Sequence, residues 1–264
     1  MPSSSITERY SLPDVFPPSF AGAWGQDRFG VFCVLIYRDT EQKMRWIPPG
    51  TFRMGSPEDE TERYDDEVLH EVRLTQGFWM ADTPCTRELW EAVMNDNPSR
   101  FKESSKNPVE QVSWEDCQKF LEKINGEIPG LHLRLPTEAE WEYACRAGST
   151  SRWCFGNDEK KLKEYAWYDE NSGGETHPVK QLKPNNRGLF DVHGNVWEWC
   201  ADWYGYYPEE LQIDPSGPGS GDYRVIRGGS WISGARFVRA AYRYWFDPVI
   251  GYGDLGFRFA RGQE

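Results

Sequence analysis

Residues 188–204 read GLFDVHGNVWEWCADWY. Gly194 and Asn195 are the two residue types that enter left-handed backbone most readily, so the stretch predicts a tight turn at 194–195. Trp197, Trp199 and Trp203 follow it and supply large apolar area. Upstream, LRLPTEAEWEYACRAG (133–148) starts a helix. Thr137 and Glu140 stand at capping-box spacing after Pro136, Trp141, Ala144 and Cys145 fall on one face, and Gly148 follows the end. Downstream, RVIRGGSW (224–231) places Gly228 and Gly229 where two backbones must approach closely.

Two more helices are predicted between residues 86 and 126. The first has Thr86 as N-cap, with Leu89, Trp90, Val93 and Met94 on one face and Asn97-Pro98 as its stop. In the second, Ser113 and Asp116 are close to a capping box, Cys117, Phe120, Leu121 and Ile124 form the apolar stripe, and Asn125-Gly126 marks the end. Strands are predicted at 31–37, 45–47, 51–54, 71–74, 78–80, 223–227 and 255–260, and an acidic solvated loop at 58–67. That loop's spacing fits no EF-hand. Between 149 and 222 the regular signals fade into Gly, Asn, Asp and aromatics.

The composition agrees with a fold of few regular elements. Aromatic residues make 15% of the 264-residue chain, with 25 Gly and 18 Pro. No linker divides it, so the reading is one α+β domain over 45–264, with residues 1–44 an N-terminal extension packed against it. Lys and Arg number 30 against 42 Asp and Glu, a net charge of −12, which argues against a nucleic-acid partner. The longest apolar run, Val31 to Tyr37, is far short of a membrane span. The start of the chain lacks a basic and apolar leader, which predicts a cytoplasmic protein. Six scattered cysteines without a CxxC pair read as reduced, buried thiols rather than disulfides or a zinc site.

Six blocks taken in order carry a resemblance. They are WIPPGTFRMGS (46–56), PVEQVSWEDCQKF (108–120), LRLPTEAEWEYACRAG, GLFDVHGNVWEWCADWY, RVIRGGSW and LGFRFA (255–260). Over roughly residues 45–260 the chain resembles the formylglycine-generating enzymes and their sulfatase-modifying-factor relatives. The resemblance implies an irregular α+β fold related to C-type lectins. It also implies a structural calcium ion at the GNxWEW turn, held by Asp191, by the carbonyls of Gly194 and Val196, and by Glu198, which are oxygen donors suited to that hard ion.

The family's copper chemistry has no counterpart in these residues. Its aerobic enzymes hold Cu(I) on two cysteines shortly after the GGS turn, because soft thiolates select that ion. The matching positions here are Ser233 and Val238, and no cysteine occurs after Cys200. A related branch uses a histidine-rich iron site. This chain has His70, His132, His177 and His193 only, none at helical ligand spacing, and all four read as surface or turn histidines. Neither copper nor iron is expected. No GxSxG, P-loop or HExxH occurs, and Glu138, Glu140 and Glu142 read as first-turn acids that favour the helix dipole.

The stretch from Gly228 to Arg258 alternates a familiar frame with residues of no consistent chemistry. The frame includes Arg239, Arg243 and Arg258. Between its members lie Ile232, Ser233, Gly234, Phe237, Tyr244, Phe246, Val249, Ile250, Tyr252 and Asp254, with Trp245 in the same patch. This resembles the variable region of retroelement-diversified proteins in the family, where asparagine codons are rewritten. No asparagine follows Asn195. Tyr244, Trp245 and Phe246 are consecutive, so a strand cannot point all three inward. The leading reading is a non-enzymatic binding protein whose C-terminal side chains meet a protein or other macromolecular ligand. The alternative is an oxidoreductase of the formylglycine-generating type acting on a protein or small molecule.

Overall fold

The computed structural model describes residues 12–263. The part of the N-terminal extension before residue 12 lies outside the described residues. Three strands open the chain: β1 (Ala23–Asp27), β2 (Gly30–Tyr37) and β3 (Thr40–Ile47). In β2 the positions two apart, Val31, Cys33, Leu35 and Tyr37, are buried in the larger core, as the period of a strand requires. Strand β3 runs through residue 44 without a break, so residues on both sides of that position share one sheet.

The remaining elements are β4 (Gly50–Met54), β5 (His70–Leu74), β6 (Phe78–Ala81), α1 (Arg87–Met94), α2 (Trp114–Glu127), α3 (Glu138–Arg146), β7 (Trp197–Trp203), β8 (Gln212–Ile213), β9 (Arg224–Arg227), β10 (Arg243–Phe246), β11 (Leu255–Gly256) and β12 (Ala260–Gly262). They form a five-stranded sheet in the order β1-β2-β3-β6-β12, a four-stranded sheet β10-β9-β7-β11 and a three-stranded sheet β4-β5-β8. One core lies under α1 and α2, where the Trp90 and Phe120 rings stack 5.4 Å apart and Phe257 meets both edge-on. A second lies between α3, β4, β5 and β9, around Trp141, Val72 and Val225. Each such ring pair adds about 0.5–1.5 kcal/mol beyond the area it buries.

The predicted caps are present. Thr86 Oγ1 accepts from Leu89 N, and Ser113/Asp116 and Thr137/Glu140 each form a reciprocal capping box. Two helix ends differ from the reading. Helix α1 stops earlier, at Asn95, whose φ of 62° is left-handed. Helix α2 continues through Asn125-Gly126, because the Asn125 side chain accepts from Leu133 N (2.7 Å) and donates to Leu133 O (2.8 Å) instead of breaking the helix. The predicted strand 255–260 divides: β11 pairs parallel with β7, and β12 pairs antiparallel with β6, so the segment crosses from one sheet to another. Strand β7, read only as a turn and its tryptophans, escapes the period-two signal because Glu198, Trp199 and Cys200 are all buried.

Candidate functional site

Arg243, Tyr244, Trp245 and Phe246 become β10, paired antiparallel with β9. Strand alternation sends Tyr244 and Phe246 to one face and Arg243 and Trp245 to the other. On the first face lies a groove of about 440 Å³. Its floor is Trp197 of β7, Ile226 of β9 and Leu255 of β11. One wall comes from the loop after the double glycine, with Ile232, Ser233, Phe237 and Tyr242. The other comes from Tyr252 and Asp254. The second wall is pinned by its backbone: Gln111 N donates to Tyr252 O (2.8 Å) and Trp197 N to Asp254 O (2.8 Å).

Seven of the eleven positions named from sequence line this groove: Ile232, Ser233, Phe237, Tyr244, Phe246, Tyr252 and Asp254. Trp245 does not. It packs on the other face of β10, its ring 4.2 Å from that of Tyr223. Val249 and Ile250 stand exposed, 60% and 40%, on the turn beyond the groove. Gly234 precedes the short 3-10 turn Ala235–Val238, and a Cβ built on it would lie 3.6 Å from Asp169 Oδ2. Four lining residues, Trp197, Ile226, Tyr242 and Leu255, were not singled out as site residues. For Tyr242 the signal was available, since it stands two residues before Tyr244.

The backbone under the groove is held by buried ion pairs. Arg243 donates from Nε and Nη2 to Glu138 (2.9 and 2.7 Å). Arg227 bonds Glu138 (3.1 Å) and Glu142. Arg239 reaches Glu67 with two nitrogens (2.9 and 2.6 Å) and Glu60 with one (2.5 Å). These bonds correct two sequence readings. Glu60 and Glu67 of the acidic loop are not solvated; Glu138 is a partner of distant arginines as well as a first-turn acid, whereas Glu142 lies beyond the first turn and pairs with Arg146 and Arg227. Burial opposes the ionised Glu138, but Arg243 and Arg227 hold its carboxyl below the ordinary value.

The double glycine does what its position implied. Gly228 and Gly229 have φ of 95° and 71°, and a Cβ on Gly229 would lie 2.5 Å from Val238 Cγ1. Ser233, where the family's copper enzymes have cysteine, places its hydroxyl 3.1 Å from that of Ser230, which donates to Asp254 Oδ2 (2.9 Å). Val238, at the second copper position, packs in an apolar cluster with Trp153 and Leu162. All six cysteines are buried free thiols. Burial pushes Cys33 and Cys154 up to about 12.

At the GNxWEW turn, Gly194 and Asn195 have φ of 80° and 62°. Asp191 is buried and, among the described residues, accepts from the neutral donors Lys180 N (3.0 Å) and Asn195 Nδ2 (3.3 Å), and burial raises it to about 6. An oxygen ligand of this kind suits a hard cation. Glu198 is placed differently. Both its oxygens accept from Arg258 (2.6 Å each), and one also from Trp141 Nε1 (2.7 Å). Asp191 therefore fits a calcium ligand, whereas Glu198 is already neutralised by a guanidinium.

The histidine reading holds for His132, which is exposed. It fails for His70, buried in β5, while His193 stands in the bend before Gly194 but is buried. His193 Nε2 accepts from Cys154 N (3.1 Å), which leaves Nδ1–H to donate to Val238 O (2.8 Å). Burial lowers its pKa to about 4, so it is a neutral spacer under the 3-10 turn.

Compared with known proteins, residues 36–263 match the sulfatase-modifying factor enzyme 1-like domain. The chain is 38% identical over 186 residues to the formylglycine-generating enzyme of Streptomyces coelicolor, covering 60% of this chain and 54% of that one. It therefore spans about half the length of that relative. Among solved structures it is similar to Treponema denticola variable protein 1, with a TM-score of 0.80 and 34% identity over 87% of this chain and 98% of that one. It is also similar to PvdO from Pseudomonas aeruginosa, with a TM-score of 0.74 and 27% identity over 92% and 98% of the two chains.

Proposed function

Since the chain belongs to the sulfatase-modifying factor enzyme 1-like domain family and has an irregular, C-type-lectin-like α+β fold, we propose that it is a non-enzymatic ligand-binding protein with a diversified C-terminal surface. The observation that carries this reading is convergence. Seven positions of mixed chemistry between residues 232 and 254 line one groove, while Arg239 and Arg243 between them turn away into buried carboxylates. Rigid aromatic side chains on a fixed backbone give large contact area at low entropic cost, as in antibody paratopes. The likeness to a variable protein supports it.

The ligand in this reading is a protein or other macromolecule, met in the cytoplasm, and neither a nucleic acid nor a membrane. Among the described residues no helix is long and apolar enough to cross a membrane. A structural calcium ion at Asp191, with the Gly194 and Val196 carbonyls and without Glu198, whose oxygens are held by Arg258, belongs to the same proposal. Chelation by EGTA followed by calcium return tests it, and a melting temperature unmoved by either step refutes it.

The identity to a formylglycine-generating enzyme favours the alternative, an oxidoreductase acting on a protein or small molecule. Ser233 and Val238 speak against its copper form, since neither offers a thiolate. Sequencing codons 225–264 with flanking DNA across a population of the source organism separates the two. Substitutions gathered at the ten interleaved positions, with a near-copy carrying adenines there, are expected. An invariant segment refutes the diversified-binder reading and sends the search to metal content and substrate.

A further inference from the structure

The groove is walled by rings in mutual contact. Phe237 meets Tyr242 edge-on at 5.1 Å, and Tyr242 and Tyr244 lie within 12° of parallel at 6.5 Å. Trp197 stands 5.9 Å from Tyr242, and Phe246 meets Tyr252 at 4.7 Å. Aromatic faces are electron-rich and attract cations within about 6 Å of the centroid. Among the lining residues Asp254 is the one carboxylate, and no Lys, Arg or His lines the groove. Asp254 takes a hydroxyl from Ser230 but, among the described residues, forms no ion pair. At the margin Asp169, whose N–H donates to Ser233 O (3.1 Å), is exposed. Arg236 already lies over the outer ring, its Cζ 4.4 Å from the Phe237 centroid, so this wall accepts a guanidinium.

We propose that the groove receives a cationic side chain, the ammonium or guanidinium of a lysine or arginine on a partner protein, seated over the rings and against Asp254. The inference rests on reading the groove as the ligand site. A neutral apolar side chain would leave the Asp254 carboxylate partly desolvated with no opposite charge, and an anion would be repelled by it. A cation satisfies the ring faces and the carboxylate together. The volume, about 440 Å³, lies in the range of pockets that enclose small ligands.

The test is an NMR titration of the full chain with Nα-acetyl-lysine methylamide and with its norleucine counterpart, which keeps the chain length and loses the charge. The lysine probe is expected to shift the amides of residues 243–254 and to bind roughly five- to thirty-fold more tightly than norleucine. Asp254→Asn should remove that preference. Asp39→Asn, an equal charge change at an exposed turn on the other side of the sequence, should keep it. Equal affinities for the two probes, or a preference that survives Asp254→Asn, overturn the cation proposal while leaving the groove as a site. Absence of shifts at 243–254 with either probe, or affinities unchanged in Tyr244→Ala/Tyr252→Ala, overturns the groove reading itself.

Discussion

Replacing Glu138 by Gln tests whether buried ion pairs hold the C-terminal strands in place. Glu138 takes two nitrogens of Arg243, one of Arg227 and the Tyr207 hydroxyl (2.7 Å). Arg227 keeps Glu142 when Glu138 is lost. Arg243 keeps the Gly205 carbonyl (2.7 Å) and the faces of Tyr204 and Tyr207, but no carboxylate. It is 3% exposed, so its charge is left buried and uncompensated. Such a change costs about 3–5 kcal/mol, a large part of the 5–15 kcal/mol that keeps a domain folded. In urea, with a slope of about 3 kcal/mol/M for a chain of this size, the unfolding midpoint should fall by about 1–2 M. The double variant Glu138→Gln/Arg243→Met removes both charges and should cost at least about 1 kcal/mol less than the sum of the singles. A cost below about 1 kcal/mol for Glu138→Gln, or additivity within 0.5 kcal/mol, refutes the reasoning.

Three further predictions concern other parts of the molecule. Burial, and then the neighbouring Glu138, raises Asp202 to about 8 in the folded chain, against about 3.9 unfolded. The folded state therefore holds an extra proton across that window, and stability falls as pH rises through it. Asp202→Asn should gain on the wild type by about 1.4 kcal/mol per pH unit between roughly pH 4 and 8, read from urea midpoints, and a constant difference excludes the shift. Gly194→Ala should cost more than about 2 kcal/mol, since its Cβ would stand 2.1 Å from Trp167 O. Gly174→Ala, also left-handed but in open space, should cost about 1–2 kcal/mol. Equal melting temperatures for the two variants would refute the steric account. All six thiols should resist a disulfide reagent at pH 8 until urea is added, and rapid native labelling of any one contradicts their burial.

What could be read from the sequence was local. Ser113 and Asp116, or Thr137 and Glu140, meet within one helical turn, so spacing alone specifies the contact. At least one of Tyr244, Trp245 and Phe246 could be placed outside the core, because consecutive strand residues cannot share a face. Most of the misreadings involve partners from other parts of the chain. Glu67 looks like part of a solvated acidic run until Arg239, 172 residues later, is set against it. Asn125 looks like a helix stop until Leu133 folds back onto its amide. Trp197 and Ile226 belong to the groove because β9 pairs with β10 and β7 with β9 in one sheet, and no pattern inside either strand announces that. His193 reads as a turn residue, yet the backbone of Cys154 and Val238 encloses it.

The division of labour along residues 224–258 suits a surface whose outward residues change. A strand that slips by one residue exchanges its two faces. In β10 such a slip would turn Tyr244 and Phe246 inward and carry Arg243 out of its bonds with Glu138. The fork of a guanidinium on a carboxylate is directional, so it opposes the slip in a way that an apolar contact does not. Arg239 and Arg258 do the same before and after β10, against Glu67 and Glu198. The register is then set from beneath, by residues that never touch the groove. If this surface is diversified, such a frame leaves side chains at 232, 237, 244, 246 and 252 free to change, whereas Ser233 and Asp254 also hold the loop through Ser230, Ser233 Oγ accepting from Ser230 N (3.0 Å) and Asp254 Oδ2 from Ser230 Oγ (2.9 Å).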